Sequence, residues 1–175
     1  GSFEALELRD GEKRYNGMGV RKVIHNIESK IKPAMSGLDG TNQRNIDYLL
    51  SALDGTENKS KLGANAILGV SLAVAKAAAQ ACQLPLYRYL NAGAHVLPVP
   101  QACLINGGMH AGNDLDIQEY CVMPVGADSF AHGVQMLCEI FQEIREILLK
   151  TMGKNATNSS EDGGFAPPLD NSFKA

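Results

Sequence analysis

Residues 96–113 read VLPVPQACLINGGMHAGN, an apolar run that ends in a glycine-rich loop. Apolar runs bounded by prolines and glycines are typical of buried strands. The adjacent glycines let the backbone approach a ligand closely, and His110 lies at the tip of the loop. Loops at the C-terminal ends of barrel strands carry active sites, although a loop histidine taken alone is more often a solvated side chain. The stretch therefore predicts a strand followed by a candidate binding loop.

A second strand is predicted by IQEYCVMPVG at residues 117–126. Alternation along this strand places two sets of side chains on opposite faces: Ile117, Glu119, Cys121 and Met123 against Gln118, Tyr120 and Val122. The charge of Glu119 is costly in an apolar strand unless it is paired or used. Gln118-Glu119 is thus a second candidate, and the alternative is a glutamate that stays in water at the rim.

A long amphipathic helix is predicted from about residue 129 to 151, and the loop NSSEDGGFAPP follows it at 158–168. The predicted apolar face of the helix consists of Val134, Leu137, Cys138, Phe141, Ile144, Ile147 and Leu148. In the loop, Glu161 and Asp162 stand side by side before a pair of glycines. Neighbouring carboxylates repel, which raises the pKa of one and suits it to acid–base work. For these residues alone, the alternative is a solvated acidic loop.

The sequence before residue 91 has helical periodicity, which puts a domain boundary at about residues 91–97. Residues 20–31 predict a helix up to Pro33, and a second helix is predicted from Thr41 as N-cap to Asp54-Gly55. Residues 64–82 are mostly small and are apolar almost all round, which predicts a buried helix.

Composition argues against several classes of function. The 175 residues carry a net charge of −3 with dispersed Lys and Arg, so nothing marks a nucleic-acid-binding surface. No uninterrupted run reaches the roughly 18 apolar residues of a membrane span, and the N-terminus lacks the features of a signal peptide. The cysteines lack CxxC spacing, which favours reduced core thiols in a cytosolic protein over disulfides or a metal site. They are Cys82, Cys103, Cys121 and Cys138.

Longer motifs run through the chain in a fixed order. They are EALELRDG (4–11), LDGTENKSKLGANAILGVSLAVAKAAA (53–79), LPLYRYL (84–90), VLPVP (96–100), INGGMHAGN (105–113), IQEY (117–120) and DGGFAPP (162–168). In these motifs the chain resembles the enolase family, whose members interconvert 2-phosphoglycerate and phosphoenolpyruvate.

The resemblance implies an α/β fold in which an α+β N-terminal domain precedes a modified eight-stranded α/β barrel of the TIM type. Residues 1–91 would be the helical part of the first domain, with its sheet missing upstream. Residues 92–175 would be the truncated start of the barrel, with strands at 98–105 and 117–124. The resemblance also implies a Mg²⁺-dependent lyase of the cytoplasm that forms a homodimer when full length.

The same resemblance assigns roles to particular residues. His110 matches a loop histidine that closes near the substrate phosphate. Gln118 and Glu119 match a Gln-Glu pair, in which the glutamate supports the proton network on the leaving-group side. Asp162 stands where the family has its catalytic glutamate, and Glu161 stands where the family has an aspartate, so the order of the acids is reversed.

Other departures limit what the chain is expected to do. Ser159-Ser160 replaces a Val-Gly that is common before the acids. The magnesium-binding carboxylates and the proton-abstracting lysines are expected downstream of these 175 residues, so the chain alone is expected to be inactive. The alternative interpretation is a degenerate enolase-like protein with a binding or structural role.

Overall fold

The computed structural model describes residues 3–172, apart from the side chain of His110. The chain divides into two compact units, residues 1–94 and residues 95–175. The α-helices of the first unit are α1 (Arg21–Asn26), α2 (Lys32–Met35), α3 (Gln43–Asp54), α4 (Ala64–Ala81) and α5 (Leu86–Leu90). The regular elements of the second unit are β1 (Ala102–Asn106), β2 (Glu119–Val122) and α6 (Phe130–Met152). Short 3-10 turns occur at Arg14–Gly17, Gly108–His110 and Lys154–Thr157.

The helix predicted to end at Pro33 continues beyond it. A π-helical turn, Ile27–Ile31, joins α1 to α2, and the helical path runs on to Met35. Pro33 stands directly after the π-helical turn, in which Lys32 N–H bonds to Ile27 O, so the regular i to i−4 ladder is already interrupted where the proline lacks an N–H. The prediction was wrong because it treated this proline as a stop signal.

Asp10 caps the start of α1 from outside the helix. Its carboxylate accepts hydrogen bonds from the backbone N–H groups of Arg21, at 3.0 Å, and Lys22, at 2.9 Å. These bonds hold the pKa of Asp10 below its ordinary value. The segment before the first helix is thereby fixed to its N-terminus, where the helix dipole favours negative charge.

The start of α3 also differs from the prediction. Asn42, rather than Thr41, is the N-cap, because its side chain accepts the N–H of Asn45 at 3.2 Å. The other end is as predicted, since Gly55 closes the helix in the left-handed conformation that glycine adopts without strain. The buried core of this unit consists of Val23, Ile31, Ile46, Leu50, Leu62 and Ala66.

Helix α4 is less buried than its apolar composition predicted. Ala66, Ala75, Ala78 and Ala79 are buried, whereas Leu68 and Leu72 remain 59% and 50% exposed. By length and composition alone α4 could cross a membrane, but the core helix of a globular protein passes the same test. The alanines let neighbouring segments pack closely on one side, and the leucines form an uncovered surface on another.

In the second unit, β1 and β2 pair antiparallel with a bulge between Cys103 and Ile105. Both strands are shorter than the predicted ranges 98–105 and 117–124. Prolines cannot donate to a sheet, and Pro98, Pro100 and Pro124 lie just outside the observed strands. The predicted alternation along β2 is present, since Glu119 and Cys121 are exposed while Tyr120 and Val122 are partly buried.

Helix α6 begins after Ser129, whose hydroxyl accepts the N–H of His132 at 3.1 Å. Its predicted apolar face is only partly covered. Leu137 and Leu148 are buried, but Val134 and Ile147 are 40% and 57% exposed. The cysteines also depart from the core positions predicted for them. Cys103 is partly buried, and the exposed ones are Cys82, Cys121 and Cys138.

Candidate functional site

Asn106, at the end of β1, is a fully buried polar side chain that connects the candidate segments. Its amide nitrogen donates to the backbone oxygen of Gln118 at 3.2 Å, and its amide oxygen accepts the hydroxyl of Ser160 at 2.6 Å. Asn106 is also the register partner of Glu119 across the sheet. One buried amide therefore fixes the start of β2 and the acidic loop to the same strand end.

The glycine-rich loop after β1 is closed by backbone and side-chain bonds. The N–H of Gly107 donates to Gln118 O at 2.9 Å, and that of Gly108 donates to Leu115 O at 2.7 Å. A side chain on Gly107 would collide with Leu115 and with the carbonyl of Ile117. The amide of Asn113 donates to Asn106 O at 3.0 Å and to Pro167 O at 2.9 Å. The loop is thus anchored at both ends.

His110 ends the short 3-10 turn Gly108–His110 within this loop. Its side chain lies outside the described part of the structure, so the prediction that it approaches a substrate phosphate stays a prediction.

Gln118 and Glu119 both have exposed side chains where the loop returns into β2. Glu119 shares its face of the strand with Cys121, whose sulfur lies 3.6 Å from Glu119 Oε2. Glu119 is thus exposed where the loop returns into β2, and its role in a proton network stays a prediction.

The acidic residues lie in a tight turn at residues 160–164. Ser160 N–H donates to Gly164 O at 2.9 Å, and Gly163 N–H donates to Ser160 O at 3.2 Å. Gly163 has φ of +88°, a conformation that side chains other than glycine rarely adopt. Glu161 and Asp162 are exposed at the tip of this turn. The turn therefore presents both carboxylates to solvent on a constrained backbone.

The segment after the turn joins the sheet on the other edge of β1. Phe165 N–H donates to Leu104 O at 2.9 Å, and Asn106 N–H donates to Phe165 O at 2.8 Å. The ring of Phe165 stacks on Phe141 of α6 with centroids 4.3 Å apart. Gly164 has no room for a side chain beside Asn106 and the sulfur of Cys103. The acidic turn is thus held by the sheet and by α6.

A cavity of about 430 Å³ opens between β1, α6 and this turn. Its lining residues include Cys103, Leu137 and Asp162. Through Asn106, the backbone of Gln118 and the hydroxyl of Ser160, which precedes the acidic pair, meet at the end of β1. Sequence reasoning missed Asn106 and Ser160, whose only signals were an amide that ends an apolar strand and a hydroxyl next to the acids.

The described side chains do not form a magnesium site. Mg²⁺ takes hard oxygen ligands in octahedral geometry. The ligand atoms that cluster within residues 3–172 belong to Cys103, Glu119 and Cys121, two thiols and one carboxylate. Partial burial raises the pKa of the Cys103 thiol, and the nearby Cys121 and Glu119 raise it further. This donor set does not fit Mg²⁺.

Comparison with known proteins identifies the family. Residues 1–90 match the family described as "Enolase, N-terminal domain", and residues 94–175 match "Enolase, C-terminal TIM barrel domain". The chain belongs to the enolase family. Its fold class is accordingly an α/β one, with parts of the enolase N-terminal and TIM barrel domains.

Curated enolases resemble the chain over nearly its whole length. It is 56% identical over 170 residues to the enolases of Thermococcus gammatolerans and Pyrococcus furiosus, which covers 97% of the chain and 40% of each relative. It is 53% identical over 176 residues to the enolase of Methanocaldococcus jannaschii, which covers 100% of the chain and 42% of that relative. The chain therefore spans about two fifths of the length of these enolases.

Proposed function

We propose that this chain forms part of an enolase, a lyase that interconverts 2-phosphoglycerate and phosphoenolpyruvate in glycolysis and gluconeogenesis. Family membership supports this proposal. The observation that carries it is the buried amide of Asn106, which bonds to both Gln118 and Ser160. Through these bonds, two segments with acidic side chains are fixed to one strand end, and an acid held there can give a proton to a leaving group within hydrogen-bond reach.

In this proposal each candidate residue acts on the leaving-group side. Asp162 donates the proton that lets the C3 hydroxide leave as water, and Glu161 is the reserve donor. Glu119 supports the proton network, Gln118 orients the substrate, and His110 closes near the substrate phosphate. The exposure of Glu119 and Asp162 is compatible with direct contact to a bound substrate.

The proposal assigns magnesium and the proton-abstracting base to residues outside this chain. Magnesium, when bound in the complete protein, would supply positive charge for the substrate carboxylate and the enediolate. The complete protein is proposed to be cytoplasmic and homodimeric. Residues 1–91 are proposed as the helical portion of the N-terminal domain and residues 92–175 as the start of the barrel. The 175-residue chain alone is proposed to be inactive.

A chimera tests the proposed function. Residues 1–175 replace the matched segment of the Pyrococcus furiosus enolase, to which the chain is 56% identical. Formation of phosphoenolpyruvate from 2-phosphoglycerate is followed by ultraviolet absorbance, with the parent enzyme and the bare chain as controls. Turnover by the chimera and none by the bare chain support the proposal. A folded, inactive chimera argues against it, and turnover by the bare chain contradicts the assignment of the base and metal to other residues.

A second candidate function is a binding or structural role in a degenerate enolase. The observation that favours it is the reversed order of Glu161 and Asp162, which shortens the proposed donor by one methylene. A displacement of about 1 Å can cost on the order of a hundredfold in rate. The double change Glu161→Asp with Asp162→Glu restores the family order in the chimera. A large gain in kcat would identify the reversal as the defect, and an unchanged low rate would show that the defect lies elsewhere.

A further inference from the structure

A small cluster of possible metal ligands is formed by the side chains of Cys103, Glu119 and Cys121. The two sulfurs and a carboxylate oxygen all lie within 4.8 Å of one another. Cys103 and Cys121 face each other as register partners across the antiparallel ladder. Glu119 lies two residues before Cys121, on the same face of β2. The pairing of the strands therefore assembles the cluster.

The spacing of the cluster fits a thiophilic ion. Zn–S bonds are about 2.3 Å long, so two sulfurs on one tetrahedral zinc lie roughly 3.8 Å apart. The ligand atoms already lie within 4.8 Å of one another, so small rotations of the side chains suffice. Two thiolates and one carboxylate supply three ligands, and water can take the fourth position.

The cluster is open to an incoming ion. Glu119 and Cys121 are exposed, and Cys103 is partly buried. The thiol of Cys103 donates a hydrogen bond of 3.4 Å to Ile105 O, and an incoming ion would take the place of that proton.

We propose that Cys103, Cys121 and Glu119 form a binding site for a thiophilic divalent cation of the zinc type. Each thiol releases its proton when it binds the ion. The site does not depend on the proposed enolase activity, because neither cysteine has a role in that proposal. It does engage Glu119, so a bound ion would withdraw that carboxylate from its proposed proton network.

Metal titration of the reduced 175-residue chain tests the site without any measurement of catalysis. Cobalt(II) is the probe, because thiolate ligands give it a charge-transfer band in the near ultraviolet. We expect a single equivalent of cobalt to bind with this band and zinc to displace it. Cys103→Ser and Cys121→Ser should each weaken cobalt binding by more than the roughly 10- to 100-fold lost when an outer-shell partner is removed. Glu119→Gln should weaken binding while the thiolate band remains.

Matched controls come from the exposed cysteines outside the cluster, Cys82 and Cys138. Cys82→Ser and Cys138→Ser should bind cobalt as the parent chain does, with far-ultraviolet circular dichroism confirming the fold of every variant. A band that survives in Cys121→Ser, or one lost in Cys82→Ser or Cys138→Ser, would overturn the proposal. So would a Cys103–Cys121 disulfide, detected by mass, in a chain whose reduced form takes up no metal.

Discussion

Ser160 makes a hydrogen bond that the glycine common at this place in the enolase family could not make. Its hydroxyl donates to Asn106 Oδ1 at 2.6 Å and accepts the N–H of Asp162 at 3.2 Å. The serine thus links the buried amide to the residue proposed as proton donor. Ser159-Ser160 stands where the family commonly has Val-Gly, and in the structure the hydroxyl of Ser160 fixes the acidic turn to Asn106.

Removing this hydroxyl should loosen the acidic turn. We expect Ser160→Ala to lower the free energy of unfolding by about 1 kcal/mol, the typical net value of a hydrogen bond. Ser159→Ala is the matched control, because Ser159 is exposed, and its effect should stay within about 0.5 kcal/mol. Urea denaturation of both variants measures the difference. Equal stability of the two variants would show that the Ser160 hydroxyl does not hold the turn.

From the sequence, the only site residues that could be predicted were those whose residue type is itself reactive or ligand-binding. Acids and a loop histidine stand out because their side chains titrate or bind ligands. The role of Asn106 depends on Ser160, which lies 54 residues away, and no local pattern encodes that meeting. Contacts between distant segments follow from packing of the whole unit.

Among the loops between helices, the one after α3 depends on a buried carboxylate. Asp54 is 1% exposed, and it accepts N–H groups from Leu62 at 2.7 Å and Thr56 at 3.0 Å. Burial alone would raise the pKa of Asp54, but hydrogen bonds from Thr56 and Leu62 outweigh it and lower the pKa. The ionised carboxylate is therefore the form that the fold selects.

The lowered pKa of Asp54 determines in which direction the stability of the fold changes with pH. Because the pKa of Asp54 is lower in the folded than in the unfolded state, the stabilisation is complete above about pH 5 and is lost as pH falls below about 4. We expect Asp54→Asn to lower the free energy of unfolding by roughly 1–3 kcal/mol at neutral pH. The free energy of unfolding of this variant should also fall less steeply than that of the parent as the solution is made acidic. Urea unfolding across pH measures both. If the free energy of unfolding of Asp54→Asn fell as steeply at acidic pH as that of the parent, this role of Asp54 would be contradicted.

Two glycines, one inside α4 and one at its N-cap, differ in the space around them, and alanine substitutions test that difference. Gly69 lies inside the helix, and a methyl group there would meet nothing within 4 Å. We expect Gly69→Ala to stabilise the chain by about 0.5–1 kcal/mol, the helix preference for alanine over glycine. Gly63→Ala is the contrasting variant, because its φ is +99° and its methyl would lie 2.7 Å from Leu8 Cβ. Thermal unfolding should rank Gly69→Ala above the parent and Gly63→Ala below it, and the reverse order would refute this description of α4.

The sequence predicted the presence of the helices more accurately than the residues at which they begin and end. Apolar periodicity indicated α1, α3 and α6, because helix faces must be buried at a 3.6-residue period, and α4 was indicated by small side chains that are apolar almost all round. The π-helical turn before Pro33 and the cap at Asn42 could not be read in the same way. Both depend on competition among local hydrogen bonds that differ little in energy.

Over the whole molecule, some side chains that the sequence predicted to be buried remain uncovered. Leu68 and Leu72 of α4 are half or more exposed. Sequence patterns predicted burial there because they report how apolar a segment is, whereas the burial of each side chain depends on which segments of the fold pack against it.

Phosphoenolpyruvate formation by the chimera with Pyrococcus furiosus enolase tests whether Asp162 gives the proton to the leaving group. General acid catalysis contributes about 10²–10⁴-fold, so Asp162→Asn should lower kcat by at least roughly a hundredfold. Glu161→Gln should have a smaller effect, and Glu143→Gln, an exposed acid on α6, should leave kcat unchanged. Asp162→Asn with the kcat of the parent chimera would show that Asp162 is not the proton donor.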